Sequence, residues 1–245
     1  MDNISFEIKK GEIFTIIGPN GAGKTTLFNC INGIYTPDMG EILFKNHRLQ
    51  GRKPDQIARL GIARTFQNIE LFNHMNTMEN IMIGRHIYLK TGLFHGIFMW
   101  GKRSFSGREE IAHRRKVEEI IDLLDLQSVR NKLVGGLPYG TQKQLELARA
   151  LALEPELLLL DEPCAGMNSE EKQDMIFWIK DIQDELGITI LLIEHDMTMV
   201  MDISNRILVI NFGSSITEGT PKTVQKHPEV IKAYLGEDMD LERIA

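Results

Sequence analysis

The sequence predicts an α/β fold with a mainly parallel sheet and an inserted helical lobe. The apolar runs Leu157 to Leu160 and Ile188 to Ile193 do not alternate with polar residues, as expected of parallel strands covered on both faces. Segments with helical periodicity separate these runs, which is typical of α/β proteins. Between Asn73 and Leu133 the pattern is mainly helical, which indicates an insertion into the α/β core.

The elements follow in order from a short first strand. Glu12 to Ile17 is an apolar run that ends at Gly18, and apolar residues at helical spacing begin near Lys24. We therefore predict a strand, a glycine-rich loop and a helix. The same criteria predict helices at Gln142 to Leu153 and Glu170 to Leu186 and a further strand at Ile207 to Ile210.

Length and composition limit the domain organisation and the partners. We expect a single domain, with a core lobe at about residues 1–72 and 150–245, a helical lobe at about 73–149, and a polar loop from Lys90 to Gly107. The net charge of −6 argues against a nucleic-acid partner, because such proteins are usually basic. No uncharged apolar run reaches about 18 residues, and no leader pattern opens the chain, so we expect neither a membrane-spanning nor a secreted protein.

A glycine-rich segment fills the phosphate-binding pattern G-x-x-x-x-G-K-[ST] between the first predicted strand and helix. In such a loop, backbone N–H groups turn inward around phosphate oxygens, and the helix N-terminus adds positive charge. We expect Lys24 to reach the β- and γ-phosphates of a nucleotide and the Thr25 hydroxyl to bind Mg²⁺. The pattern consists of Gly18, Pro19, Asn20, Gly21, Ala22, Gly23, Lys24 and Thr25.

Further polar residues follow other predicted strands, where an open α/β sheet presents its ligand site. Asp161 and Glu162 come directly after the apolar run at Leu157. Asp161 fits an acid that holds Mg²⁺, and Glu162 fits a base that polarises the attacking water. Gln67 and His195 also follow apolar segments, although neither would indicate a site without the others.

The ordered motifs GPNGAGKTT, FQN, LPYGTQKQLELARAL, LLLLDEP and EHD resemble the ATPases of ABC transporters, and the resemblance covers the chain from about Asn3 to Gly236. It implies a phosphate-loop (RecA-like) ATPase core with a mainly parallel sheet, an N-terminal antiparallel β portion and an inserted helical subdomain. It also implies that Thr26 and Gly140 bind the nucleotide, that Gln67 senses Mg²⁺ and the transport partner, and that His195 contacts the γ-phosphate.

The resemblance further implies the ligands and partners. ATP and Mg²⁺ would bind between two ATPase subunits arranged head to tail, as a homodimer or a related heterodimer. In that arrangement the phosphate loop of one subunit faces the signature loop of the other. Integral membrane permease subunits and, indirectly, a periplasmic or extracellular solute-binding protein complete the assembly. We therefore expect a peripheral subunit at the cytoplasmic face of the cytoplasmic membrane.

Two departures from the family pattern affect these expectations. The usual signature Leu-Ser-Gly-Gly-Gln is replaced by Leu137 to Thr141, in which Pro138 supplies neither a hydroxyl nor an N–H group. Gly140 and the helix N-terminus remain available to bind the opposing phosphate. We therefore expect that ATP-driven dimerisation still occurs but is weakened by the loss of the serine. No aromatic residue precedes Phe6 to stack on adenine, which suggests a shortened chain, and Ile4 to Ile8 is predicted to be a strand with an unpaired edge.

Softer features resemble the ATPases of branched-chain amino acid importers, chiefly the segment His86 to Arg115, the pair Tyr139-Gly140 and the stretch Asp161 to Asn168. The tail Tyr234 to Asp238 also resembles the ATPase of a lipopolysaccharide extraction system, which lacks the insertion. A non-transport ABC ATPase and a phosphate-loop kinase are further alternatives. The first usually carries a second cassette, a coiled coil or a basic arm, none of which is visible. The second needs an acceptor site, and the signature segment and His195 argue against it.

The insertion itself is basic within an acidic protein, and aromatic residues interrupt it. One hypothesis is that it lies near the inner leaflet, where anionic lipid attracts each basic residue. The alternative is a solvated loop with locally packed aromatic side chains. The basic residues are Arg85, Lys90, Lys102, Arg103, Arg108, Arg114, Arg115 and Lys116, and the aromatic ones are Phe94, Phe98, Trp100 and Phe105.

Overall fold

The computed structural model describes residues 3–65, 69–88 and 105–235, and it describes residues 105–109 and 234–235 by their backbone only. The strands are β1 (Ile13–Ile17), β2 (Leu43–Phe44), β3 (His47–Arg48), β4 (Ile62–Arg64), β5 (Leu157–Asp161), β6 (Thr189–Ile193), β7 (Arg206–Asn211) and β8 (Ser214–Gly219). The helices are α1 (Lys24–Ile31), α2 (Pro54–Arg59), α3 (Thr77–Gly84), α4 (Phe105–Leu123), α5 (Tyr139–Leu151), α6 (Ser169–Leu186), α7 (Met197–Ile203), α8 (Pro221–Gln225) and α9 (Pro228–Leu235). None of these described helices combines the length and apolar character needed to span a membrane.

The larger sheet has the strand order β4-β5-β6-β1-β7-β8. Its first five strands are parallel, and β8 pairs antiparallel with β7. The register aligns Ile193 of β6 with Ile16 of β1 on one side and with Asp161 of β5 on the other. The residues that follow β1, β5 and β6 therefore lie beside one another at the carboxyl edge of the sheet, where ligands of open α/β sheets bind.

Apolar side chains cover both faces of this sheet. Phe14, Leu159 and Ile193 belong to a cluster on the α1 side, whereas Leu158 and Leu160 belong to a cluster with α3 to α6. Neighbouring residues of β5 thus point into different clusters, which is why its sequence is apolar at every position. The second cluster continues from the sheet into α3, α4 and α5, and the division into two lobes stays a prediction.

The predicted fold class is confirmed, since the parallel sheet is accompanied by the short antiparallel hairpin β2-β3 and by helices. The strand expected at Ile4 to Ile8 was wrong, because this segment forms no backbone ladder with any described residue. Its alternate side chains instead pack against the core, and the ring of Phe6 stacks on that of Phe14 with centroids 5.3 Å apart. This packing and a hydrogen bond of 3.1 Å from Arg206 Nη1 to the Glu7 carbonyl hold the segment against the core.

Helix boundaries differ from the predictions mainly at α5. The helix begins at Tyr139 rather than Gln142, because Pro138 is the N-cap and its carbonyl accepts a hydrogen bond from Gln142 N at 3.0 Å. Apolar periodicity missed this first turn because its residues are tyrosine, glycine and threonine. The predicted loop from Lys90 to Gly107 lies mostly outside the described residues, and α4 begins within it at Phe105.

Candidate active site

The glycine-rich loop connects β1 to α1 at the carboxyl edge of the sheet. Lys24 opens the helix and is 94% buried, since its exposed fraction is 6%. Its Nζ donates hydrogen bonds to the carbonyl oxygens of Gly18, at 2.5 Å, and Pro19, at 3.0 Å. The backbone N–H of Gly213, in the β7–β8 turn, donates to the Ala22 carbonyl at 3.0 Å. The loop is thus closed on itself, with the lysine ammonium inside it.

The start of α1 differs from the starts of α3, α6 and α7 in how it is capped. Gly23 is the N-cap with a φ of 105°, and no side chain caps the helix. By contrast, Asn76, Asn168 and Asp196 cap the starts of α3, α6 and α7 with side-chain oxygens. The start of α5 at Pro138 also has no side-chain cap. Helix N-termini without a side-chain acceptor present N–H groups and a positive dipole end to an anion.

Asp161 ends β5 and is buried, with an exposed fraction of 1%. Its Oδ2 accepts a hydrogen bond of 2.8 Å from Arg64 Nη2, and the other amino group of Arg64 donates to Asn29 Oδ1 of α1 at 2.7 Å. Burial raises the pKa of Asp161, while Arg64 acts in the opposite direction. Arg64 therefore joins the phosphate-loop helix to the acid at the end of the neighbouring strand.

The oxygen ligands at this site fit a magnesium ion that takes its remaining ligands from a nucleotide and water. Among the described residues, no group of three or more His, Cys, Asp or Glu side chains could hold a metal alone. Mg²⁺ commonly takes one or two protein ligands and completes its shell with phosphate oxygens and water. Asp161 Oδ1 is buried without a hydrogen-bond partner, as a ligand oxygen would be, and Thr25 lies exposed at the start of α1. Gln67 lies outside the described residues.

The acid that follows Asp161 meets the predicted histidine directly. Glu162 Oε1 lies 2.6 Å from His195 Nε2, although the two residues are 33 positions apart. Glu162 adopts a left-handed φ of 51°, and its N–H donates to the Ile193 carbonyl at 2.9 Å. The turn after β5 thereby directs the Glu162 side chain toward the end of β6. The exposed fractions of the two side chains are 17% for Glu162 and 41% for His195, so the pair is open to a ligand.

The signature segment, Leu137 to Thr141, lies against the loop that follows Glu162. A Cβ atom on Gly166 would lie only 3.0 Å from the ring of Tyr139, and Gly166 has a left-handed φ of 79°. Gly140 is buried, and a Cβ atom there would meet the carboxylate of Glu171 in α6. The signature segment and the loop that follows Glu162 are therefore packed together within one chain.

Two charged residues of the site were not singled out from the sequence. Arg64 binds Asp161, and the buried carboxylate of Glu194 accepts hydrogen bonds from the backbone of both Cys164 and His195. Both residues stand at the carboxyl ends of apolar strands, which is the signal that identified Asp161 and Glu162. The strand-end position that indicated Asp161, Glu162 and His195 is therefore shared by Arg64 and Glu194 as well.

The basic insertion is only partly described, since Lys90, Lys102 and Arg103 lie outside the described residues. Arg85 does not belong to a surface patch: its exposed fraction is 5%, and its Nη1 donates to the Ala152 carbonyl at 2.8 Å. Arg114 pairs with Glu110 on α4. Arg85 is therefore excluded from the hypothesised lipid-facing basic surface.

A phosphate loop beside two strand-end acids, with the second acid in contact with a histidine, defines the class of phosphate-loop ATPases. The profile of the ABC transporter family matches residues 1–165, and that of the branched-chain amino acid ATP-binding cassette transporter matches residues 216–240. This protein therefore belongs to the ABC transporter ATP-binding family and is an ATPase.

Curated relatives and solved structures agree with this assignment. High-affinity branched-chain amino acid transport ATP-binding protein LivG of Escherichia coli is 43% identical over 97% of this chain and 92% of its own length. High-affinity branched-chain amino acid transport ATP-binding protein BraF of Pseudomonas aeruginosa is 40% identical, also over 97% of this chain and 92% of its own length. A crystal structure of a nucleotide-free ATP-binding cassette superposes with a TM-score of 0.81 at 30% identity, covering 97% of this chain and 93% of its own.

Proposed function

We propose that this chain binds and hydrolyses ATP to power the uptake of branched-chain amino acids through separate membrane subunits. The observation that carries the catalytic part is the contact of 2.6 Å between Glu162 and His195 at the edge of the sheet that also presents Lys24. The substrate class rests on the role of the LivG and BraF relatives in branched-chain amino acid transport and on the family match at residues 216–240.

The nucleotide phosphates would bind at the start of α1. Backbone N–H groups from Gly21 to Thr26 would surround them, with the helix dipole contributing positive charge. Lys24 Nζ is held 2.5 Å from the Gly18 carbonyl, so it would exchange loop carbonyls for β- and γ-phosphate oxygens without leaving the loop. Thr25, Asp161 and Gln67 would hold Mg²⁺, which when bound neutralises charge on the β- and γ-phosphates.

Hydrolysis would use Glu162 as the base that orients the attacking water. His195 touches the Glu162 carboxylate, and in this geometry its ring would hold the carboxylate in position while facing the γ-phosphate. Asp161 is separated from this task, because Arg64 occupies its Oδ2 and burial keeps it away from bulk water. Two adjacent acids therefore take different roles because their surroundings differ.

A second ATPase subunit would complete each nucleotide site. Solved dimers of other cassettes, 26% identical to this chain with a TM-score of 0.73 for one of them, support such an assembly. The start of α5, at Tyr139 and Gly140, would approach the γ-phosphate bound to the other subunit with its N-terminal N–H groups. Whether the pair consists of two identical chains or two related chains, each signature segment serves the opposite phosphate loop.

We expect Pro138→Ser to strengthen ATP-dependent dimerisation about tenfold, because a serine hydroxyl adds a hydrogen bond to a charged phosphate, worth about 1.5 kcal/mol or more. The dimer dissociation constant would be measured by analytical ultracentrifugation with ATP, in a Glu162→Gln background that slows hydrolysis. Pro228→Ser is a matched control, since Pro228 opens α9 and is exposed. A Pro138→Ser variant that dimerises no better contradicts the prediction.

The membrane subunits would dock beside α3. Phe72, Met75 and Leu133 are exposed apolar residues, with exposed fractions of 53%, 38% and 60%. A hydrogen bond from Val134 N to the Met75 carbonyl and a bridge between Asn76 and Leu133 bring the two segments side by side. This apolar surface begins shortly after Gln67 in the sequence. The segment from Gln67 to Phe72 would therefore connect the nucleotide site to the docked membrane subunit. Such docking would keep the chain at the cytoplasmic face of the membrane.

Deletion of this chain from the source organism should lower the uptake of radiolabelled leucine, isoleucine and valine, while the uptake of an unrelated amino acid such as lysine stays unchanged. Wild-type protein should restore uptake, whereas Lys24→Met should not, because it removes the ammonium from the phosphate loop. Normal uptake of all three branched-chain amino acids in the deletion strain, with uptake of another solute lost, would refute the proposed substrate class.

A further inference from the structure

Glu194 directly follows β6 and precedes His195, and its exposed fraction is 4%. One carboxylate oxygen, Oε1, accepts a hydrogen bond from the backbone N–H of Cys164 at 3.0 Å. The other, Oε2, accepts from the N–H of His195 at 2.8 Å and from that of Asp196 at 3.3 Å. A single buried side chain thus satisfies backbone donors of two loops that are far apart in sequence.

These two loops carry the two members of the catalytic pair. Cys164 is two residues beyond Glu162, and the N–H group of His195 belongs to the residue whose ring touches Glu162. The Glu194 carboxylate therefore binds the backbone of both loops that form the Glu162–His195 contact. A carboxylate that accepts several backbone N–H bonds in a buried site has little freedom to rotate, because each lost bond would leave a buried donor unpaired.

Cys164 takes part through its backbone. Burial, together with the negative charge of Glu194, raises the pKa of the Cys164 thiol to about 12, so the side chain remains a neutral thiol packed near Met199. Beyond Cys164 the loop reaches Gly166, which lies against Tyr139 of the signature segment, and Asn168, which caps α6. The loop is therefore in contact with Glu194 at one end and with the signature segment further along.

We propose that Glu194 is a positioning residue that holds His195 against Glu162 and makes this pair follow the loop from Pro163 to Asn168. The inference rests on the proposed ATPase mechanism. A displacement of the loop must either break the hydrogen bond from Cys164 N or move Glu194, and with it the backbone of His195. Contacts made by the loop, including those with a second subunit, would thereby reach the catalytic pair.

The test is Glu194→Gln in the full chain. Glutamine has a single acceptor oxygen, so its amide NH₂ must face either the Cys164 donor or the His195 and Asp196 donors. We expect kcat for ATP hydrolysis to fall at least about tenfold while the dissociation constant for ATP changes by less than about threefold. In a ¹H–¹³C spectrum without nucleotide, the His195 ring cross-peak, assigned from His195→Ala, should move.

Glu12→Gln is the matched control, because Glu12 is also buried and accepts hydrogen bonds from Lys9 N at 2.6 Å and Arg206 at 2.8 Å. It stands before β1, at the opposite edge of the sheet. We expect wild-type kcat and an unmoved His195 cross-peak. If Glu194→Gln folds poorly, Glu194→Asp keeps the charge but is too short to reach both loops, and should lower kcat in the same way.

Wild-type kcat in both Glu194 variants would overturn the inference, as would an unmoved His195 cross-peak. A loss shared equally by Glu12→Gln would assign Glu194 a purely structural role and also overturn it. If the wild-type chain hydrolyses no ATP, the proposed function fails, but the His195 cross-peak still reports whether Glu194 positions the histidine. The two ideas can therefore fail separately.

Discussion

Glu162→Gln should bind ATP with near-normal affinity and hydrolyse it at least about 100-fold more slowly than the wild type, since a positioned base typically contributes 10²- to 10⁴-fold. The substitution keeps the size and the left-handed turn at residue 162, but it removes the negative charge that polarises water. His195 keeps a polar neighbour at the position where Glu162 Oε1 now lies 2.6 Å from Nε2. Steady-state phosphate release and equilibrium nucleotide binding would be measured on the same preparation.

Glu185→Gln is a suitable control for this experiment. Glu185 is exposed near the end of α6, about 25 Å along the helix from Asn168, so the same chemical change there should leave hydrolysis unaffected. Near-normal hydrolysis by Glu162→Gln would remove Glu162 as the base. A combined loss of ATP binding and hydrolysis would instead indicate that the substitution disturbs the phosphate loop.

Gly18→Ala should weaken ATP binding at least about tenfold, because the added methyl group collides with the sheet. A Cβ atom on Gly18 would lie 2.1 Å from the Ile210 carbonyl oxygen and 3.2 Å from Ala22 Cβ. Ile210 belongs to the buried strand β7, whose backbone cannot retreat, so the loop itself must move. The Gly18 carbonyl that holds Lys24 would move with it. Titration with a fluorescent ATP analogue would measure the change.

Gly21→Ala is the control, because it replaces a glycine of the same loop without causing a steric clash. No atom lies within 4 Å of a Cβ built on Gly21, but its φ of 79° is left-handed, which costs an alanine about 1–2 kcal/mol. We therefore expect Gly21→Ala to lower the melting temperature with a smaller effect on ATP binding. Equal losses of affinity in the two variants would show that backbone conformation, and not the contact with Ile210, limits residue 18.

The fold class could be predicted from the sequence because a strand buried on both faces is apolar at nearly every position, as β5 and β6 are. Periodicity failed where backbone chemistry decided the structure: Pro138 starts α5 through its carbonyl, and Ile4 to Ile8 alternates like a strand without pairing. A strand needs a neighbouring backbone, and no property of its own residues can supply one. Hydrophobic pattern therefore located the core better than it located the ends of elements.

The sequence by itself determined the chemistry: a phosphate loop from Gly18 to Thr25, acids at the end of one buried strand, and a histidine at the end of another. Only the tertiary structure decided which of these groups touch. The parallel register that aligns Asp161 with Ile193 brings Glu162 beside His195 and Cys164 beside Glu194. These hydrogen bonds depend on strand register and side-chain direction, which arise from packing across the whole sheet.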